Sequence, residues 1–207
     1  MYNLPAKTLV TRQLSKERLY KALPFKPGER RAVDRDVSRI DIVAQLLPET
    51  LPTLMHGERV KGITVLRLAL KRECSAETLR LLARIPQTLL FALAYGEQVR
   101  FAVSFEQRIF ISEPAAESEA TLSLQGNSFD DLWLHLVAQV AGLKNGNEAS
   151  LLAQIEKREQ LQRLEAERAS TEKKMWSTPQ THRRNELYAK LQQLNKQIKE
   201  LSQEWRN

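Results

Sequence analysis

The chain has 207 residues, 42% apolar and 28% charged, with a formal net charge of +7. This balance fits a globular protein carrying a solvated extension, and no run approaches the ~18 apolar residues of a membrane helix. The single cysteine, Cys74, excludes an internal disulfide, and Met1 to Pro5 lacks the basic-then-apolar start of a signal peptide, so a cytoplasmic location is expected.

The charge is unevenly spread. Residues 1–40 carry a net +6, residues 41–147 a net −2 and residues 148–207 a net +3. The basic excess sits at the two ends. Arg12, Lys16, Arg18, Lys21, Lys26, Arg30, Arg31, Arg35 and Arg39 form a candidate nucleic-acid surface. The alternative is a solvated basic face, since aromatic residues do not interleave with these charges as in single-strand binders.

Residues 1–14 read as a tail or edge segment. Ser15 caps a short helix over 16–22 that Leu23-Pro24 ends, and a second short helix runs from Glu29 to about Val37. Residues 38–47 alternate like a strand, and residues 60–71 are rich in Ile, Val and Leu. Ser75 caps a helix over 76–84. Residues 88–95 are almost wholly apolar, as in a central strand covered on both faces. Gly96-Glu97 turns the chain into an alternating strand around Val99, Phe101 and Val103. Residues 108–112 and 120–125 read as two more strands, with an acidic loop over 113–119 between them.

Ser128 opens the clearest helix, with Phe129, Leu132, Trp133, Leu136, Val137, Val140 and Ala141 on one face and Gly142 after its end. The stripe predicts that Trp133 is buried against the sheet. The expected body, residues 1–147, is α+β: a mostly antiparallel sheet of about five strands with packed helices. Residues 148–207 then form a long antiparallel helical hairpin, broken at Ser177-Thr178-Pro179-Gln180 by proline. Its second arm has a heptad seam of Leu187, Leu191, Leu194, Ile198, Leu201 and Trp205. The first arm answers with a broken stripe, interrupted by Arg158, Glu159 and Arg168. The hairpin tip and the second arm are therefore the candidate protein-binding surface, for a larger subunit or a second copy, unless the two arms satisfy each other and the hairpin folds back on the body.

Catalytic motifs are sparse. No P-loop, dinucleotide fingerprint or zinc spacing occurs, and His56, His135 and His182 lie far apart, so no cofactor or metal site is assigned. His135 reads as a rim residue of its helix. Cys74 stands beside Arg72 and before a helix N-terminus, two features that lower a thiol pKa. A metal-dependent nuclease would place Lys71 at a strand end with Asp41 and Glu49 near it, but Ala69 occupies the usual glutamate position. Asp130-Asp131 reads as helix N-terminal charge.

The order of several pieces resembles one family. They are Leu4-Pro5, Leu47-Pro48-Glu49-Thr50, Ile85-Pro86 leading into Leu89-Leu90-Phe91-Ala92-Leu93, Phe101-Ala102-Val103-Ser104, and Arg184-Asn185-Glu186-Leu187 in the hairpin. The chain looks like a bacterial and archaeal family of unknown function with an α+β body and a helical tail. The family's genes often stand beside DNA methyltransferases and helicases of restriction-like or phage-defence loci. The resemblance implies no catalytic residues. It implies an accessory or adaptor subunit of a DNA-processing complex, with a nuclease effector and a basic DNA-binding module as alternatives.

Overall fold

The computed structural model describes residues 1–206, the side chains of 204–206 excepted. The chain divides into two compact units, Met1–Asn147 and Glu148–Asn207.

The first unit is α+β. Its strands are β1 (Leu9–Leu14), β2 (Val37–Leu46), β3 (Ile63–Leu70), β4 (Thr88–Tyr95), β5 (Gln98–Phe105), β6 (Arg108–Ile111) and the two-residue β7 (Ala115–Ala116). They form one sheet in the order β1-β2-β3-β4-β5-β6, with β7 also paired to β5. Every pairing is antiparallel except β3 with β4. A parallel pair needs a crossover, and α3 (Ala76–Leu82) supplies it. The sheet is thus mixed and larger than the five strands expected. The first added strand is β1, from the segment read as a tail or edge. The second is β7, inside the acidic loop.

The apolar run of β4 is explained by its place: Leu89 through Ala94 are all buried. Gly96 turns β4 into β5 at φ +61, where a side chain would be strained. The next turn, Glu106-Gln107, also has positive φ at both positions, as a two-residue hairpin loop between twisted strands requires.

Residues 120–125 do not form the expected strand. The Gln139 side chain donates to the Thr121 carbonyl and accepts from the Ser123 N–H, both at 3.0 Å. The Leu122 N–H donates to the Tyr2 carbonyl. Groups that a ladder would use are already taken.

Two short helices, α1 (Lys16–Ala22) and α2 (Pro27–Asp36), join α3 in one core with the sheet. Leu19, Phe25, Val33, Ile40, Leu68, Leu79, Phe91 and Leu93 are among its members. The last body helix, α4 (Phe129–Ala141), packs against β5 and β6. Ser128 Oγ accepts the Asp131 N–H while the Asp131 carboxylate accepts the Ser128 N–H. Gly142 closes the other end in the left-handed region. Trp133 is 8% exposed, near Ala83, Leu89, Phe91 and Ser104, so the stripe does meet the sheet.

The second unit is α5 (Glu148–Ser177) and α6 (Thr181–Arg206), packed together as a hairpin. Pro179 lies in the three-residue turn. The Ser177 and Thr178 hydroxyls donate to the Lys174 carbonyl, which the helix end leaves unpaired. No helix among the described residues is long and apolar enough to cross a membrane.

Candidate functional site

The basic N-terminal segment divides into cations used by the fold and cations left to solvent. Lys16 is spent inside: its Nζ donates to Asp34 Oδ1 at 2.9 Å and to the Val37 carbonyl at 2.7 Å. Arg30 lies over the Tyr20 ring, 5.5 Å from its centroid. Arg35 Nε donates to Asp36 Oδ1 at 2.9 Å, and Arg39 Nε to Asp41 Oδ2 at 2.7 Å. Arg12, Arg18, Lys21, Lys26 and Arg31 are exposed and form no ion pair among the described residues. The candidate nucleic-acid set is therefore half structural, because short helices on a sheet need anchors that their few apolar residues cannot supply alone.

Asp36 is the strongest of these anchors. It is fully buried at the end of α2. Its carboxylate accepts from Arg35 and from the Ser75 and Thr78 hydroxyls at 2.7 Å each, and it is ion-paired with Arg72, whose Nε lies 3.2 Å from Oδ1. The Arg35 guanidinium, with the two hydroxyls, holds its carboxyl well below the usual carboxylate range. Arg72 is thereby turned to Asp36, not to Cys74. Burial, with the charge of Asp36 second, pushes the Cys74 thiol up to about 12. The two features read from sequence as lowering that pKa are outweighed, and Cys74 is held in its neutral thiol form. Lys71 is likewise engaged: its Nζ donates to the Asp34 carbonyl at 2.8 Å, at the end of α2.

A second polar cluster joins residues far apart in sequence. Arg67 on β3 makes a two-pronged pair with Glu117, Nε to Oε1 at 2.6 Å and Nη2 to Oε2 at 2.8 Å. The Tyr2 hydroxyl donates to Glu117 Oε1 at 2.9 Å, and the Tyr2 ring meets Phe101 edge-on at 5.2 Å. Arg67, then Tyr2, holds the Glu117 carboxyl below its ordinary value, while burial raises the Tyr2 phenol. These groups border an open cavity of about 540 Å³ that Arg39, Asp41, Arg67 and Glu117 line with Leu9, Val10 and Val43. Sequence reading missed this cluster. Its three members lie in three separate segments, and the only local signal was the acidic loop. A smaller cavity of about 280 Å³ is lined by Cys74, Leu93, Tyr95, Val99 and Ile111, with the Glu73–Arg100 pair.

Asp130 does more than charge a helix N-terminus. Its carboxylate accepts the backbone N–H groups of Glu58 at 2.6 Å, Arg59 at 3.2 Å and Val60 at 2.7 Å, fixing the loop before β3. His135 is half-buried, and its Nε2 is buried without a hydrogen-bond partner. No three His, Cys, Asp or Glu side chains among the described residues converge as a metal site.

In the hairpin, the seam is partly consumed by the other arm. Leu191 and Leu194 are buried, at 8% and 5% exposure, while Leu187, Ile198 and Leu201 are half-buried. Thr171 and Met175 are buried on α5. Lys190 Nζ pairs with Glu167 Oε1 at 2.6 Å across the arms. The side chain of Trp205 lies outside the described residues. Exposed aromatics remain near the turn: Trp176 at 73% and Tyr188 at 56%.

An α+β body followed by a two-helix hairpin, with no metal cluster among its described residues, defines the class of the protein. The family is then given by its match to the Domain of unknown function (DUF4391), which covers residues 2–198. The chain belongs to that family. No curated protein and no solved structure matches it.

Proposed function

We propose that the protein is a non-catalytic accessory subunit of a bacterial DNA-processing complex of the defence or restriction-like kind. It docks on the helicase or methyltransferase of that complex through its helical hairpin and works in the cytoplasm. The observation that carries this reading is the state of the second arm. Leu191 and Leu194 hold the arms together, while Leu187, Ile198 and Leu201 stay half-exposed beside them. Such a row of half-exposed side chains is an interface in waiting, each gaining only a part of the ~1.5–3 kcal/mol that full burial of an exposed leucine is worth. The non-catalytic reading is supported by the engagement of the groups that the nuclease alternative or the open cavity would offer for chemistry. Asp41 holds Arg39, Glu117 holds Arg67 and Tyr2, and Lys71 caps α2. The family resemblance supplies the partner class.

The test is co-purification from cells that express the neighbouring genes. The tagged chain brings down the helicase or methyltransferase, and a chain with Leu194→Asp and Ile198→Asp does not, while its body stays folded. Equal recovery by both chains sinks the docking reading. Unfolding of the whole chain assigns the seam to its own stability.

A second reading, a basic DNA-binding module, is favoured by five exposed cations outside any ion pair among the described residues, Arg12, Arg18, Lys21, Lys26 and Arg31. Counterion release makes phosphate binding fall steeply with salt. Duplex binding that is insensitive to salt, or absent at low salt, leaves these residues as a solvated face.

A further inference from the structure

Trp176 and Tyr188 stand on one side of the hairpin. Glu167 and Lys190, which meet at 2.6 Å, each precede by one residue a position in the register of the seam: Leu191, and the exposed Arg168, three and seven residues before the buried Thr171 and Met175. Trp176 and Tyr188 each follow one, Met175 and Leu187. One residue turns a helix by about 100°. In an antiparallel pair the positions before the seam therefore share one side, as the ion pair demonstrates, and the positions after it share the other. Counted from the ion pair at about 1.5 Å per residue, Tyr188 lies about 3 Å, Arg184 about 9 Å and Trp176 about 13 Å toward the turn. An arginine thus sits at the level between two exposed rings.

The same tip is purely basic. Residues 173–184 contain Lys173, Lys174, Arg183 and Arg184 and no Asp or Glu. All four are exposed, and none is ion-paired among the described residues. Arg184 Nη2 donates only to the Thr178 carbonyl, at 3.3 Å. Two exposed rings call for flat π-faces, and four cations in no ion pair, outnumbering the bordering Glu172 and Glu186, call for a polyanion. Unpaired nucleic acid offers both. A duplex buries its base faces in the stack, and an acidic protein has no row of rings to offer. At the tip, exposed aromatic and basic residues interleave. The pattern is hidden in sequence, because the turn separates the two halves.

We propose that the hairpin tip binds single-stranded nucleic acid, with Trp176 and Tyr188 as stacking surfaces and Lys173, Lys174, Arg183 and Arg184 as phosphate contacts.

The test uses the full chain and a fluorescein-labelled oligothymidylate of about 12 nucleotides, read by fluorescence anisotropy at low salt. Trp176→Ala and Tyr188→Ala each weaken binding at least about fivefold, and the double variant weakens it by about the product. Arg183→Ala with Arg184→Ala lowers the salt slope by roughly 0.7 per lost contact. Circular dichroism confirms that the variants keep their helices. Three results overturn the proposal. One is no binding at low salt, or binding that ignores both ring substitutions. Another is loss of binding on Arg12→Ala, Arg18→Ala and Arg31→Ala with the tip intact. The third is equal affinity for a duplex of the same length, or equal competition by polyglutamate, which would assign the tip to a duplex or to an acidic protein. Because the isolated chain is measured, each of these leaves the co-purification result standing on its own.

Discussion

The helix α4 and the hairpin carry the same kind of apolar periodicity and use it differently. In α4, eight of thirteen residues are buried, and its tryptophan, Trp133, is 8% exposed. In the hairpin the stripe of α6 buries Leu191 and Leu194 among its described side chains, and the tryptophan at its turn, Trp176, is 73% exposed. A helix laid on a sheet is covered over a wide arc by a surface several strands across. A helix paired with one other helix is covered only along a narrow seam. What lies one residue off the seam stays in water. The lesson is that an apolar stripe predicts a buried face only when the partner surface is wide enough to cover it.

The largest effect expected from breaking this contrast is on the α4 side. Trp133→Ala should cost about 3–5 kcal/mol, from lost transfer energy and the cavity left beside Leu89 and Phe91. Urea unfolding followed by circular dichroism measures it, and an unchanged midpoint would place the ring outside the core.

Asp36→Asn comes next. It keeps the shape but removes the charge that Arg35, Arg72, Ser75 and Thr78 surround, at a cost of about 3 kcal/mol. The sign with pH follows from the direction of the shift. The folded carboxyl titrates below its unfolded value, so its stabilisation is present above the unfolded pKa of about 3.9 and is lost as pH falls through the folded pKa. The two proteins should differ most near neutral pH and converge in strong acid. A constant difference down to low pH would contradict the arrangement.

Leu194→Ala should cost about 2 kcal/mol, the low end for a buried leucine because only one helix covers it. Its loss should be local. Hydrogen exchange should quicken in α5 and α6 and stay unchanged in β3 and β4. Equal acceleration in the strands would tie the hairpin to the cooperative unfolding of the body.

Legibility in the sequence followed the range of the interactions. Periodicity placed α4 and the β4–β5 pair, and proline stops placed the end of α1 and the break at Pro179, because each is written in neighbouring residues; Ser15 precedes α1 as expected but makes no side-chain cap. The parallel pairing of β3 with β4 was not legible, since it depends on where the chain goes after α3. Nor was β7, two alanines held by pairing with β5. The candidate sites divide the same way. The basic segment was visible as composition, but the engagement of Lys16, Arg30, Arg35 and Arg39 depends on Asp34, Tyr20, Asp36 and Asp41 being folded beside them. Arg67, Glu117 and Tyr2 left no joint mark at all, being 50 and 115 residues apart in their contacts. The seam of α6 was legible, but not the share of it that α5 would cover.

The smallest expected effect sharpens the contrast most. Trp176→Ala should change stability by less than about 0.5 kcal/mol, the range of surface substitutions away from packed features. The chemistry is that of Trp133→Ala, and the same large ring is removed. If size or helix propensity decided the outcome, both variants would suffer alike. If coverage decides it, only Trp133 matters to the fold, since Trp176 is already 73% in water and its removal opens no cavity. Urea unfolding of the two single variants and their double variant measures this directly. The two sites lie in separate compact units, so their effects should add. A loss above about 1 kcal/mol for Trp176→Ala would mean that the ring is packed. It would also remove the exposed surface on which the tip's stacking role depends.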